Sequence, residues 1–235
     1  MIKNNKLSNL QEKDIFVASI DIGTNSTHLL IAQINLDLKS FTITFTDKST
    51  TRLGERDEQG NLTENSILRV LETLKRFKEY CVVNGVNKIL TAATSAVREA
   101  PNGKELIDRV LNELGIKIEL ISGFEEARLI YLGVLSGMSL DDNSYLILDI
   151  GGGSTEIILA DNKDAKALTS SRVGAVRLKN DFFDDQPIVK ERLDFLETFI
   201  QGSLEPAVQK IKKRLNNNPI SMIATSGTAI SIGNL

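Results

Sequence analysis

The chain has 235 residues, of which 41% are hydrophobic and 25% are charged, and its formal net charge is −3. This is the composition of a globular protein with enough length for one large or two modest domains, and it excludes a bulk electrostatic attraction for nucleic acid or for an anionic membrane. The single cysteine, Cys81, excludes an internal disulfide and points to a reducing compartment.

The first fourteen residues, MIKNNKLSNLQEKD, predict a polar N-terminal arm, residues 1–14. They lack the apolar region of a secretory signal, and no apolar segment approaches the ~18 residues that a membrane-spanning helix needs. We therefore expect a cytoplasmic protein that has neither a membrane nor a nucleic acid as its partner.

The next part of the chain predicts a first α/β unit. Runs rich in Ile, Val, Phe and Thr at 15–21, 26–34 and 40–47 are typical of an antiparallel three-stranded meander. Apolar residues then recur at helical spacing from an N-cap at Thr63 to a terminal Gly85, and Cys81 falls in that apolar stripe, which favours a packing role for it. The pattern continues with a strand at 87–92, a helix at 102–114, a strand at 116–121 and a helix at 124–137.

A second unit begins with strands at 144–150, 155–160 and 166–172. A long helix at 188–216 follows, and its expected apolar stripe consists of Leu193, Leu196, Ile200 and Leu204. A strand at 220–225 is the last predicted element. Compared with the first unit, this one lacks a helix, a strand and another helix, so we expect the second domain to be truncated.

Two segments repeat. DIGTNSTHLLIA, from Asp21, and DIGGGSTEIILA, from Asp149, are identical at six of twelve positions, and the Ala-Thr-Ser at 93–95 recurs at 224–226. Ordered matches of this kind indicate a duplicated structural unit. We place the first domain at 15–123 and the second at 124–235.

Each repeated segment places an aspartate at the end of a buried strand and then turns. A glycine-rich turn that adopts positive φ angles directs successive N–H groups toward one point, which favours phosphate binding, and Asp21 and Asp149 offer hard oxygen ligands for Mg²⁺. Further donors are expected from the hydroxyls of Ser26, Thr27, Ser154 and Thr155. The alternative is that both segments are ordinary hairpins whose aspartates cap the turn.

The two copies differ at their eighth position, where the first has His28 and the second Glu156. Glu156 would follow the triple-glycine turn within reach of a metal held by Asp149, although a solvent-facing position is the alternative. His28 is the only histidine, and without a neighbouring ligand cluster we expect it to pack rather than to bind metal or transfer protons.

Four further charged residues could reach the space between the two domains. Ser122 can cap the helix at 124–137, and acids in its first turn suit the helix dipole, which accounts for Glu125 and Glu126 structurally. A carboxylate at this crossover could instead orient a water and accept its proton, and the residues alone leave both interpretations open. Arg98, before a Pro-Asn-Gly break, could hold a phosphate with its guanidinium or simply lie at the surface, and Arg52 is a weaker candidate of the same kind.

Five motifs in this order carry a resemblance: DIGTNS, TAATSAVREAPNG, ISGFEEARLIYLGV, LDIGGGSTEI and ATSGT. Together they resemble the exopolyphosphatase/guanosine pentaphosphate phosphohydrolase (Ppx/GppA) family over nearly the whole chain after the N-terminal arm. The resemblance implies an α/β fold of duplicated ribonuclease H-like (actin-like ATPase) domains. Each would be a mixed sheet with an antiparallel meander flanked by helices, and a cleft would lie between them, as in acetate kinase, sugar kinases, heat-shock 70 proteins and actin.

The resemblance also assigns roles. It implies that Glu126 is the catalytic base, that Arg98 and Asn25 contact the phosphate, and that Asp149 and Glu156 bind the metal and water. The chemistry of the first turn adds Asp21 as a third metal ligand, acting through water. The phosphate-binding residues expected from the resemblance and the two turns are Gly23, Thr24, Asn25, Ser26, Gly151, Gly152, Gly153, Ser154 and Thr155.

Family members release the terminal phosphate of inorganic polyphosphate, or convert guanosine pentaphosphate to the tetraphosphate, with Mg²⁺, and Mn²⁺ is also compatible with such ligands. The sequence does not decide between these substrates, and homodimer formation is left open. Two other functions remain: a metabolite kinase of the same superfamily that uses ATP, and a non-catalytic sensor of guanosine tetraphosphate or polyphosphate.

Overall fold

The computed structural model describes residues 15–183, 189–215 and 220–234. The predicted N-terminal arm, 1–14, lies outside these residues, as do the two end positions of the predicted helix at 188–216. Within the described ranges the chain forms nine strands and seven helices. None of the helices in these ranges is both long and apolar enough to cross a membrane.

The first unit is a five-stranded sheet in the order β3-β2-β1-β4-β5, in which β1, β2 and β3 form the predicted antiparallel meander and β4 and β5 run parallel to β1. Its elements are β1 (Ile15–Ile22), β2 (Thr27–Asn35), β3 (Ser40–Ser49), α1 (Glu64–Val83), β4 (Lys88–Ala93), α2 (Ser95–Glu99), α3 (Gly103–Leu114) and β5 (Ile118–Leu120). Asp21, near the end of β1, lies opposite His28 of β2.

The predicted amphipathic helix forms the main packing face of this unit. Thr63 caps α1 by accepting a hydrogen bond from the Ser66 N–H, and Gly85, just after the helix, has a φ of +65°, which glycine adopts without strain. Phe77 is fully buried, and Cys81 is buried in the same core, as predicted.

The second unit repeats the first with the sheet order β8-β7-β6-β9, which corresponds to β3-β2-β1-β4. This confirms the predicted duplication. Its elements are α4 (Gly123–Gly137), β6 (Ser144–Ile150), β7 (Thr155–Ala160), β8 (Ala165–Ser171), α5 (Ala175–Phe182), α6 (Lys190–Lys212), β9 (Ile220–Thr225) and α7 (Ser226–Gly233).

Helices cover both faces of the second sheet, so every residue of β7 is buried. On one face Ala127 and Tyr131 of α4 pack in a core with Ile158, and on the other Ala207 and Ile211 of α6 lie in a second core. The apolar stripe predicted for α6 is confirmed in part, because Leu196, Ile200 and Leu204 are half-buried and Leu204 packs against the second core. Leu193 is exposed, and the fully buried residues lie nearer the C-terminal end of the helix.

Three short helices were not predicted: α2, α5 and α7. Each has eight residues or fewer, so it offers little helical periodicity to detect. The strand at 220–225 was the last predicted element, and the structure adds α7 after it. Both α2 and α5 matter for the site, since they begin directly beside the repeated turns.

Candidate active site

The two repeated turns close in the same way and face each other. The N–H of Gly23 donates to the Ser26 carbonyl at 3.0 Å, and the N–H of Gly151 donates to the Ser154 carbonyl at 2.9 Å. A Cβ added to Gly153 would lie 2.6 Å from the Thr24 hydroxyl oxygen, so the turns of the two units are in contact.

The start of α5 holds the carbonyls of the triple-glycine turn. The Gly151 carbonyl accepts from the Ala175 N–H at 3.0 Å, the Gly152 carbonyl accepts from the N–H groups of Val176 and Arg177 at 2.9 and 3.0 Å, and the Gly153 carbonyl accepts from the Arg177 Nε at 2.9 Å. In a trans peptide the carbonyl and the following N–H point in opposite directions. The N–H groups of residues 152 to 154, called the cradle below, are therefore directed away from α5 and are free of these helix contacts.

This cradle does not use the backbone conformation that we predicted. In the described part of the chain the glycines with positive φ are Gly60, Gly85 and Gly115, and none belongs to either turn. The turn glycines are required instead for close approach, because a Cβ on Gly153 would also lie 2.5 Å from the Ser95 hydroxyl oxygen. The prediction of positive φ angles in the turns was wrong.

The loop at residues 52–54 holds the carbonyls of the first turn, as α5 holds those of the triple-glycine turn. The Thr24 carbonyl accepts from the Gly54 N–H at 2.8 Å, and the Asn25 carbonyl accepts from the Arg52 N–H at 2.9 Å. Arg52 has a φ of +51°, an uncommon value for a residue with a side chain. Arg52 thus supports the turn through its backbone, whereas we had considered only its guanidinium as a phosphate contact.

The predicted hydroxyl donors are largely occupied by partners within the protein. The Thr27 and Thr51 hydroxyls are 3.0 Å apart, and the Thr155 hydroxyl donates to the Val173 carbonyl. Both predicted residues, Thr27 and Thr155, are buried, so their hydroxyls cannot face a phosphate. The expectation that they supply phosphate donors is corrected, and the backbone N–H groups of the turns remain the principal donors.

His28 is exposed on β2, so the packing role that we expected for it is wrong. Its Nε2 lies 2.9 Å from the Ser26 hydroxyl oxygen, and partial burial and the nearby Lys48 lower its pKa. Ser26 is therefore engaged with His28, while Asn25 beside it is exposed at the tip of the turn.

Asp149 and Glu156 lie directly opposite each other on β6 and β7. The Thr225 hydroxyl donates to Asp149 Oδ2 at 2.5 Å, and the Ser170 hydroxyl donates to Glu156 Oε1 at 2.7 Å. Glu156 is only 1% exposed, which rules out the solvent-facing alternative. The antiparallel pairing of β6 and β7 thus places the Asp149 and Glu156 carboxylates side by side next to the triple-glycine turn.

Glu126 reaches the same cluster from the first turn of α4, where Ser122 caps the helix as predicted. Its Oε2 is buried and lies 3.5 Å from Arg98 Nη1, which itself donates to the Ile121 carbonyl at 2.7 Å. Among the described residues that oxygen has no hydrogen-bond partner. The neighbouring Glu125 instead pairs with Arg128 on the exposed side of the helix, so only Glu126 faces the cleft.

The four carboxyl groups interact electrostatically, and each has a raised pKa. Burial, followed by the charge of Glu156, raises the pKa of Glu126 to about 8. Burial raises the pKa of Glu156 to about 7 and also raises that of Asp149. Asp21 keeps solvent-accessible surface, but the surrounding protein and then Asp149 raise its pKa to about 6. Such a site gains stability from any bound cation.

The donor set fits a partly hydrated divalent cation better than a complete protein cage. Among the described residues no three acidic, histidine or cysteine side chains lie close enough to hold a metal. The predicted trio of Asp149, Glu156 and Asp21 is therefore not preassembled. Mg²⁺ commonly binds through one or two carboxylates together with water and phosphate oxygens, and the Asp149–Glu156 pair satisfies that requirement.

The sequence predictions missed four residues that organise this site: Ser170, Thr225, Glu99 and Arg177. A signal existed for Thr225, because it lies in the repeated Ala-Thr-Ser and ends the strand parallel to β6. Ser170 required the β7–β8 register, in which it faces Glu156. Glu99 and Arg177 lie in the short helices α2 and α5, which were not predicted, so the partners of their side chains could not be inferred from the sequence.

Comparisons with known proteins agree with this geometry. A family model described as the Ppx/GppA phosphatase family matches residues 30–233. The chain is 30% identical over 218 residues to Exopolyphosphatase 1 of Mycobacterium bovis, covering 92% of this chain and 62% of that protein. It is 32% identical over 248 residues to a bifunctional 3-dehydroquinate synthase/phosphatase of Fusobacterium nucleatum, covering 97% of this chain and 35% of that protein.

Among solved structures, an exopolyphosphatase from Cytophaga hutchinsonii superposes with a TM-score of 0.83 at 33% identity, covering 91% of this chain and 67% of that one. The predicted fold class, duplicated ribonuclease H-like domains of the actin-like ATPase type, is confirmed. The chain spans about 62% of the length of the mycobacterial relative.

Proposed function

This chain belongs to the Ppx/GppA phosphatase family, and from that premise we propose that it hydrolyses phosphoanhydride bonds and releases the terminal phosphate of inorganic polyphosphate. The observation that carries the proposal is the Glu126 carboxylate, buried in the cleft with one oxygen that lacks a hydrogen-bond partner in the described part of the chain. A carboxyl group in that setting, facing an anion cradle, is suited to accept a proton from water.

The turns and Arg98 would bind and neutralise the reacting phosphate. The N–H groups of residues 152 to 154 point away from α5 and would donate to its oxygens, as a preorganised cradle does for developing negative charge. Arg98 lies between Glu126 and the Ile121 carbonyl. Its guanidinium would therefore neutralise charge next to the base without a large movement.

Glu126 would orient the attacking water and take its proton. Because its pKa is about 8, its conjugate base is stronger than an ordinary carboxylate, but it must first be deprotonated. Asp149 and Glu156 would hold Mg²⁺, which supplies charge neutralisation on phosphate oxygens when bound. Positive charge at this position also favours the ionised form of the neighbouring carboxyl groups.

Guanosine pentaphosphate presents the same kind of terminal phosphate, so we propose it as a second substrate of the same site. We propose polyphosphate as the main substrate because the relative from Mycobacterium bovis and the crystallised protein from Cytophaga hutchinsonii are both named exopolyphosphatases.

We further propose that the protein is cytoplasmic and forms a homodimer. Cell fractionation tests the location, and light scattering tests the oligomeric state.

The decisive experiment measures phosphate release from polyphosphate by the wild-type chain, by Glu126→Gln and by the matched control Glu125→Gln. We expect Glu126→Gln to lower kcat by about 10²- to 10⁴-fold with little change in KM, since the lost function is proton transfer. Glu125→Gln, on the exposed side of the same helix turn, should behave as wild type.

Near wild-type turnover in Glu126→Gln would overturn the assignment of the base. Parallel assays with guanosine pentaphosphate and with ATP separate the alternatives. Faster use of ATP than of polyphosphate would favour a kinase, and calorimetric binding of polyphosphate without phosphate release would favour a sensor.

A further inference from the structure

Arg177 of α5 connects the triple-glycine turn with the first unit. Its Nε donates to the Gly153 carbonyl at 2.9 Å, while its Nη2 donates to Glu99 Oε2 at 2.5 Å and lies 3.4 Å from the Ser95 hydroxyl oxygen. Its backbone N–H also donates to the Gly152 carbonyl at 3.0 Å. Arg177 thus holds two consecutive peptide planes of the cradle and, at the same time, binds the Glu99 carboxylate of the first unit.

The acid that receives Arg177 is itself held in place. Glu99 lies in α2, its Oε1 accepts from the Ser95 hydroxyl at 2.8 Å, and its side chain is 14% exposed. Behind α2, Arg56 donates to the Ala96 carbonyl at 2.6 Å and anchors the helix. A partly buried pair with fixed partners differs from a mobile surface ion pair, because little further side-chain ordering is needed to form it.

A second residue of α5 reaches the other turn. Asn180 Nδ2 donates to the Gly54 carbonyl at 3.1 Å, and the Gly54 N–H in turn holds the Thr24 carbonyl at 2.8 Å. Arg177 and Asn180 are three positions apart and therefore lie on one face of the helix. That face of α5 therefore contacts the triple-glycine turn through Arg177 and, through Asn180, the loop that holds the first turn.

We propose that Arg177 is a positioning residue for phosphate binding, and that its pair with Glu99 couples the shape of the triple-glycine cradle to the closure of the two units. The inference deepens the proposed function and rests on it. Holding the Gly153 carbonyl keeps the Ser154 N–H directed at the ligand, and the bond to Glu99 exists only while the first unit is close. Opening of the cleft would release both constraints together.

The shape of the guanidinium explains why arginine occupies this position. Its planar fork donates in two directions at once, to a carbonyl through Nε and to a carboxylate through Nη2. A lysine ammonium is a point charge on a flexible stem and cannot hold both partners in these positions. Arg177→Lys should therefore retain the charge but lose the coupling.

The test compares Arg177→Met and Arg177→Lys with the control Arg172→Met in the full chain. Arg172 also lies near Glu99, at 3.8 Å, but its side chain is 78% exposed. Steady-state hydrolysis of polyphosphate and calorimetric binding of inorganic phosphate are the readouts. We expect Arg177→Met to raise both KM and the phosphate Kd about tenfold or more, Arg177→Lys to raise them nearly as much, and Arg172→Met to change them less than about twofold.

Two further measurements distinguish positioning from a general loss of folding. Addition of guanidinium ion at a non-denaturing concentration should restore phosphate affinity to Arg177→Ala, which a merely destabilised protein would not show. Glu99→Gln, which leaves the Gly153 bond in place, should raise KM by a smaller factor of about three to ten.

A folded Arg177→Met with wild-type KM and phosphate affinity would overturn the inference. If Arg177→Met does not fold, an unchanged KM and phosphate Kd in Glu99→Gln would overturn it equally. If the wild-type chain binds phosphate but does not release it from polyphosphate, the proposed function fails, and the calorimetric comparison of the variants still decides the role of Arg177.

Discussion

Glu126 gives a prediction that links the chemistry of the site to the stability of the fold. Its carboxyl is buried beside Glu156, and its pKa is raised from 4.5 to about 8. Between these two pH values the folded chain keeps a proton that the unfolded chain releases. The unfolded state therefore binds fewer protons, and the free energy of unfolding falls as the pH rises through this window.

The size of the effect follows from the interval between the two pKa values. At about 1.36 kcal/mol per pH unit, the interval from 4.5 to about 8 corresponds to on the order of 5 kcal/mol above pH 8. Glutamine has the same shape and no charge, so Glu126→Gln removes this loss of unfolding free energy at high pH. We expect the variant to match the wild type near pH 5 and to unfold about 10 to 20 °C higher near pH 9, using the dependence of Tm on free energy for chains of this length.

The assay is thermal unfolding of chelator-treated protein, followed by circular dichroism at intervals from pH 5 to 9. Glu125→Gln is the control, because Glu125 is exposed and its bond to Arg128 lowers its pKa instead of raising it. The control should show no gain in Tm at high pH. Equal midpoints for wild type and Glu126→Gln across the whole range would refute the raised pKa and the burial that causes it.

Three further predictions concern the cradle, the metal ligands and the scaffold. Gly153→Ala places a methyl group 2.5 Å from the Ser95 hydroxyl oxygen and should raise KM for polyphosphate at least about tenfold in steady-state assays, since the turns must separate. Thr225→Val removes the hydroxyl that supports Asp149 and should weaken Mg²⁺ binding about 10- to 100-fold in a titration of activity against Mg²⁺. Gly115→Ala, at a φ of +66° after α3, should cost about 1 kcal/mol in denaturant unfolding and leave kcat unchanged.

The sequence predicted those features of the fold that repeat or recur with a regular period. The aligned segments from Asp21 and Asp149 predicted the duplication, because both units place that aspartate near the end of the central strand next to its hairpin turn. Helix α1 was predicted together with its cap at Thr63, since an amphipathic helix of 20 residues carries many turns of periodic signal. Glu126 was one of two candidate carboxylates at the start of the crossover helix, and the family resemblance selected it over Glu125.

The remaining features depend on contacts between residues far apart in the chain. Arg177 lies in a helix of eight residues without a buried side chain, so neither its periodicity nor its composition marks it. Thr155 looked like a phosphate donor, but its hydroxyl direction depends on where the Val173 carbonyl lies in the folded chain. The turn glycines suggested unusual φ angles, whereas the structure needs them for the approach of the opposite unit, which a single segment cannot reveal.

Duplication alone would give two equivalent half-sites, and the structure shows why the proposed reaction would take place at only one of them. Both turns have their carbonyls held from behind, by the 52–54 loop in the first unit and by α5 in the second. Opposite the strand aspartate, however, the first unit has the exposed His28 and the second has the buried Glu156. Only the second unit therefore offers two adjacent carboxylates for a cation, and the proposed base, Glu126, comes from α4, which packs on that same unit. The first unit contributes its turn, Asp21 and the Arg98 guanidinium, so the complete site exists only while the two units are together.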